Sequence, residues 1–383
     1  MKIGLSKKTA PLVLASFSCF LGTGAVLSIL PLHLLNVLHA SGLRLGLVLG
    51  IYPFAALVGR LLGGWSADIF GRRRTVTVGL SGACASAFLL LFPLTTLELF
   101  GVRLLQGVCQ GALSVAVVTW MMDISKADDR AYSLSVIGAG VWGGTSIGVL
   151  LGGLMNSLHF SGLLAGLSAL IGIPALGLAE KPPIISVEKS TRKFKPTSAL
   201  VPGITFGLGA VGYSAIASFV VLHMNLQGAS GVTVLTTFSF TVLFSRFLVV
   251  PLATRIGLQR AVRPSFVLAT IGLIIIALAH TTLWGVVGVL CVAVAHSGLW
   301  PALGSLVATR ASNEERGSAM GLMTGLFDIA VGLSSLVFGI MATHVGTQMI
   351  FIVATCFVLF AIIFDALFSK KSENPTTEPL PPL

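Results

Sequence analysis

Twelve apolar stretches, separated by short polar gaps, run through the 383 residues of this chain. They fall near 10–34, 43–65, 75–93, 97–121, 131–155, 160–178, 199–222, 231–252, 264–280, 283–308, 317–342 and 348–368. Each is close to the ~20 residues that cross ~30 Å of hydrocarbon at 1.5 Å per residue. In lipid, backbone N–H and C=O groups find no water, so an isolated span must pair them internally, as a helix does. The pattern predicts an all-α membrane protein of twelve transmembrane helices.

The longest interior gap, 179–198, contains EKPPIISVEKSTRKFKPTS. Basic and proline-containing, it reads as a cytoplasmic linker between two six-helix bundles, 1–178 and 199–368. The tail, 369–383, ends in NPTTEPLPPL and reads as disordered and cytoplasmic.

Composition agrees with the bilayer as solvent. Charged residues make up 10% of the chain and mean hydropathy is +0.97, against about 25% charged residues in soluble domains. The net charge of +11 does not form a nucleic-acid surface, because the basic residues sit in the short gaps. With both termini in the cytoplasm, 20 of the 24 lysines and arginines fall on the inner side. The exceptions, Arg44, Arg60, Arg103 and Arg246, lie within or at the ends of helices. This asymmetry predicts the orientation, and the protein is expected in the inner (plasma) membrane. The first apolar run is too long for the core of a signal peptide and is read as a retained helix. Five scattered cysteines with no CxxC pair argue against a disulfide framework or a metal site.

The two halves resemble each other. A shift of 186 residues lays Arg60 on Arg246, Gly71 on Gly257, Arg74 on Arg260, and Asp129–Arg130 on Glu315–Arg316. Duplicated bundles with a site between them are a transporter design.

The gap after the second span reads Gly64-Trp-Ser-Ala-Asp68-Ile-Phe-Gly71-Arg72-Arg73-Arg74. Gly71 suits a tight reversal, the arginines hold the loop at the cytoplasmic face, and Asp68 is placed to pair with Arg72 or to cap a helix. This run resembles the signature loop of the major facilitator superfamily, G-x-x-x-D-x-x-G-R-[KR]-[KR]. The resemblance implies two pseudo-symmetric six-helix bundles. It also implies a latch in which Asp68 and Arg72 meet Asp123 and hold helix 2 against helix 11. In the second half Val250 and Thr254 replace Gly64 and Asp68, so a matching latch is not expected there.

Four spans carry candidate chemistry. In the fourth, Arg103, Gln106, Gln110 and Ser114 share one helical face and are expected to look into a watery cavity, since a charge at membrane depth costs at least ~2.5–3.5 kcal/mol. This stretch is similar to the superfamily's R-x-x-q-G motif. The fifth has Gly140, Gly144, Gly148 and Gly152 at intervals suited to close packing. Its end resembles the antiporter motif of drug/proton exporters, with Val149 in place of the proline and Ser135 in place of the first glycine. The eleventh carries Asp328, the one carboxylate near the middle of a helix, with Thr324 and Ser335 on the same side. Such an acid is a site candidate by default. The tenth adds His296, Trp300 and Pro301. Arg60 and Arg246 read as snorkelling from inner helix ends. Glu98 and Asp365 read as water-accessible at helix ends.

Phosphate-binding and metalloprotease motifs are missing, and glutamines or asparagines at depth are scarce. The expectation is a monomeric secondary transporter rather than an enzyme, without cofactor or metal. It would move a small amphiphilic molecule outward in exchange for protons, through Arg103, Gln106, Gln110, Asp328, His296 and Trp300. Alternatives are a uniporter or symporter for a sugar or metabolite, and a non-transporting receptor or scaffold on the same fold.

Overall fold

The computed structural model describes residues 9–125, 130–180, 197–256, 258–310 and 316–368. Twelve α-helices follow one another: α1 (Ala10–Asn36), α2 (Gly42–Ile69), α3 (Arg72–Leu89), α4 (Thr96–Ile124), α5 (Arg130–Met155), α6 (Leu158–Ala175), α7 (Thr197–Leu226), α8 (Gly231–Ile256), α9 (Leu258–Ala277), α10 (Thr282–Arg310), α11 (Arg316–His344) and α12 (Thr347–Phe368). The described residues include no strand. Ten helices are long and apolar enough to cross a membrane by themselves. The other two are α3, which opens on three arginines, and α8, whose apolar stretch is the shorter Gly231–Ser245. The α8 stretch ends where the run of described side chains ends.

The repeat extends to the helix bounds. α10 starts at Thr282, 186 residues after the start of α4 at Thr96. Of the residues that suggested the repeat, Gly257, Asp129 and Glu315 and the side chains of Arg130, Arg246 and Arg316 lie outside the described set, as do most of the linker and the tail 369–383. The side chains of Val250, Thr254 and Ser135 lie outside it too.

Small residues set the helix spacing. Gly140, Gly144, Gly148 and Gly152 of α5 rest against the backbone of Val13, Phe17, Leu21 and Ala25 of α1, so each step of four on one helix meets a step of four on the other. A Cβ at Gly148 would strike the Leu21 carbonyl oxygen. In α4, Gly107 and Gly111 meet the α2 backbone at Tyr52 and Ala56 in the same manner. At the turn into α3, Gly71 has φ +92°, a conformation other residues avoid.

The halves meet along α2 and α11. Towards the ends away from the arginine-rich loops, Gly42, Gly46 and Gly50 touch the backbone of Gly339, Leu336 and Gly332. A Cβ at Gly50 would lie 2.7 Å from the Gly332 oxygen. Nearer the basic face, Leu57 still reaches Gly325, but among the described residues Gly64 has only Val115 of its own half nearby and Gly321 meets nothing within 4 Å. Along α2 and α11 the described contacts are close at one face and thin out towards the other; α5 and α8 also meet at the close face, where Gly153 lies against Val232.

Candidate substrate and coupling site

Asp328 lies midway along α11, twelve residues from its start, and is 4% exposed. Its carboxylate forms an ion pair with the Arg60 guanidinium of α2, across the seam between the halves. Arg60 therefore does not snorkel as the sequence suggested. α2 packs directly on α11 at that level, and pairing with a buried acid answers more of its desolvation than a stretched route to water. About a third of the Arg60 side chain stays exposed. Ser335, two turns further along α11, faces α7 instead and bonds Ser214 at 2.9 Å. Thr324 bonds its own helix backbone at the Met320 oxygen.

Arg103 is 4% exposed and seven residues into α4, about 10 Å along the helix. Its guanidinium lies 4.1 Å over the Tyr52 ring of α2 and donates to Gln106 Oε1 at 2.9 Å. Nε is enclosed without an acceptor. The Tyr52 hydroxyl is 3.5 Å from Thr23 of α1. Tyr52 precedes Pro53, which cannot donate to the carbonyl one turn back, so the helix is loosened where the two halves come close.

The expected polar stripe does not turn as a whole towards the interface. Gln106 and Gln110 border a small cavity inside the first bundle, closed by Thr23, Tyr52, Ala83 and Ala165, with room for water rather than for a solute. Gln110 Oε1 is buried there without a protein partner. The reason is the Gly107/Gly111 edge of α4. It must seat on α2, and that rotates the glutamines towards α1, α3 and α6.

An aromatic cluster fills the interface beside Tyr52, and the sequence pointed to two members of its neighbourhood. His296 of α10 stacks on Tyr213 of α7 at 5.0 Å and 15°. Phe327 of α11 lies 5.6 Å from Tyr213, and Trp142 of α5 meets His296 edge-on at 6.0 Å. Tyr52 is within electrostatic reach of Tyr213, though its ring makes no direct contact with the cluster among the described residues. Trp300, half-buried, packs on the core one turn beyond His296. Trp142, Tyr213 and Phe327 were missed because an aromatic in an apolar run looks the same in sequence whether it faces lipid or an interface.

At the basic face Arg72 bridges two acids: it pairs with Asp68 and donates from Nε to Asp123 Oδ2 at 3.1 Å. All three belong to the first half, and the close α2–α11 contact lies at the far face. Asp365, expected to reach water, is 6% exposed and accepts from Arg263 Nε at 2.9 Å, tying α12 to α9. Glu98 closes a capping box with Thr95, taking the Thr95 N–H at 2.7 Å.

The sequence profile of the Major Facilitator Superfamily matches residues 12–234 and 203–382, which together take in nearly the whole chain. The chain belongs to this superfamily. It is thus a multi-pass membrane transporter and not an enzyme. An uncharacterized facilitator-type transporter, YhhS of Shigella flexneri, is 25% identical over 98% of this chain and 95% of its own length. Its counterpart in Salmonella typhi is 24% identical over the same shares. Among solved structures, a POT family transporter in complex with 5-aminolevulinic acid aligns with a TM-score of 0.80 at 14% identity, covering 98% of each chain. The nucleoside transporter NupG aligns at 0.74 and 16%, covering 94% of this facilitator and 99% of its own chain. The human organic anion transporter MFSD10 aligns at 0.69 and 18%, covering 94% and 98%. At these identities the structures share the fold alone.

Proposed function

We propose that this facilitator carries a small amphiphilic solute out of the cell by alternating access, driven by protons exchanged at Asp328. The observation that carries the reading is the Arg60–Asp328 pair, which spans the seam between the halves at the point where the closed and open stretches meet. While Asp328 is ionised, its attraction to Arg60 adds to the glycine seam and keeps the far face shut. A solute bound between the halves competes with that attraction and lets them rock about the aromatic cluster to open the far face; once the solute has left, a proton from outside loads Asp328, is carried inward and is released to the cytoplasm as the pair with Arg60 re-forms. Arg60 stays charged throughout.

The lysine and arginine asymmetry supports placing the basic face and both termini in the cytoplasm of a cell with this protein in its inner membrane. The conformation is then closed outside and parted inside. The Asp68–Arg72–Asp123 cluster acts at the cytoplasmic face as the conformational latch, bracing the α2–α3 turn against α4 so that α2 moves as one body with its half. The protein works as a monomer, since its site is assembled from the two halves of one chain.

Reconstituted transport tests the reading. Wild-type protein in liposomes should concentrate its solute when a pH gradient is imposed and stop when the gradient is collapsed. Asp328→Asn should lose gradient-driven accumulation while keeping exchange of solute for solute. Accumulation at the wild-type rate by Asp328→Asn would make this acid structural.

A further inference from the structure

Fixed charge does not balance at the centre of this protein. Asp328 is committed to Arg60. Arg103 has no carboxylate partner among the described residues. Glu98, on the same helix, is held by the Thr95 cap. The Tyr52 ring and Gln106 stabilise the guanidinium, yet neither supplies a negative charge. Arginine does not escape by losing its proton. An uncompensated cation thus sits 4% exposed at membrane depth, with its Nε–H enclosed and unanswered.

A second observation concerns what adjoins it. Tyr52, under the guanidinium, lies on the first-half side of the interface within electrostatic reach of Tyr213, which stacks with His296 and Phe327. An unsatisfied donor fork therefore stands near an aromatic wall contributed by the other half. One ligand chemistry answers both: an oxyanion for the fork and a planar apolar body for the wall.

We propose that the transported solute is an organic anion, its carboxylate or similar oxyanion taken by Arg103 and its apolar body laid against Tyr213, His296 and Phe327. This rests on the transport reading above and names its substrate class. Two parallel N–H bonds from a guanidinium to two oxygens are the geometry such a fork favours. The anion brings the charge that the site lacks. A cationic analogue meets like charge, and a neutral one leaves the Nε–H without an acceptor, so both are disfavoured by something the site already contains.

Equilibrium binding to the purified full-length protein in detergent tests this with three probes on one ring system: naphthoate, naphthylmethanol and naphthylmethylammonium. Naphthoate should bind at least about tenfold more tightly than the other two. Arg103→Gln should erase that preference by weakening naphthoate, while Arg103→Lys keeps the order of the three with a lower affinity, since the charge remains and the fork is lost. If Arg103→Gln does not fold, the wild-type order and Arg103→Lys carry the test. Equal affinities, a preference for the neutral or cationic probe, no binding of any probe, or naphthoate binding unchanged in Arg103→Gln would each overturn the proposal. Asp328→Asn should retain naphthoate binding. Naphthoate that binds through Arg103 but is never moved across liposomes would sink the transport reading and leave the anion site standing.

Discussion

Removing one partner of the Arg60–Asp328 pair should cost more than removing both. A fully buried pair loses about 3–5 kcal/mol when one member is deleted, because the other is left charged and unanswered. Asp328 is nearly enclosed here, whereas about a third of the Arg60 side chain reaches solvent and can rehydrate. That exposure lowers the expectation to about 2 kcal/mol for Asp328→Asn, since solvent screens a half-open pair. The same change in Arg60→Gln leaves the acid behind. That acid is nearly enclosed, so the loss there should be of similar size. In the double variant neither charge remains, and the coupling between the two sites should be about 3 kcal/mol, so that removing both costs about 1 kcal/mol. The assay is a double-mutant cycle on the purified protein, read as resistance to denaturation in detergent at neutral pH. A second readout is the labelling of a cysteine at Leu336, which the α2 seam covers at Gly46. If the pair holds the seam shut, Asp328→Asn should raise labelling up to about thirtyfold, by about tenfold per 1.4 kcal/mol, where opening limits the rate. A coupling below about 0.5 kcal/mol, with labelling unchanged, would refute the claim that this pair closes the seam.

Three further outcomes are expected. Gly148→Val should destabilise the first half by at least about 3 kcal/mol, because its side chain meets the Leu21 backbone rather than a movable group; loss of monodisperse protein on size-exclusion chromatography checks it, and normal yield with normal stability counts against the packing account. Gly71→Ala should cost about 1–2 kcal/mol through the left-handed backbone alone, with Asp68→Asn lowering turnover instead while membrane yield is kept, a contrast read by comparing transport rate with expression. Single cysteines at Ser186 and Ser372 should resist a membrane-impermeant maleimide in intact cells and react after permeabilisation; labelling from outside would reverse the proposed orientation.

Periodicity and charge counting were enough for the twelve spans, because the bilayer imposes a length and an apolar composition on every helix, whatever its neighbours. The duplication was also legible: the 186-residue offset that aligned Arg60 with Arg246 recurs between the starts of α4 and α10. The glycines of α5 announced their packing by spacing alone, and Asp68, Arg72 and Asp123 lay close together because a turn and a neighbouring helix leave them little freedom. Which way a side chain looks across a helix interface was another matter. Arg60 read as snorkelling until α11 was seen to bring Asp328 against it, a contact between residues 268 positions apart. Arg103, Gln106 and Gln110 shared a stripe in sequence, yet the seating of Gly107 and Gly111 on α2 aimed the glutamines into their own bundle and left Arg103 over Tyr52. In a soluble protein, polarity tells inside from outside. In a membrane both lipid and core are apolar, so the sequence fixes where each helix crosses, while the rotation of each helix, and with it the meeting of charges and aromatics, is set by backbone-to-backbone packing that exists only once the halves come together.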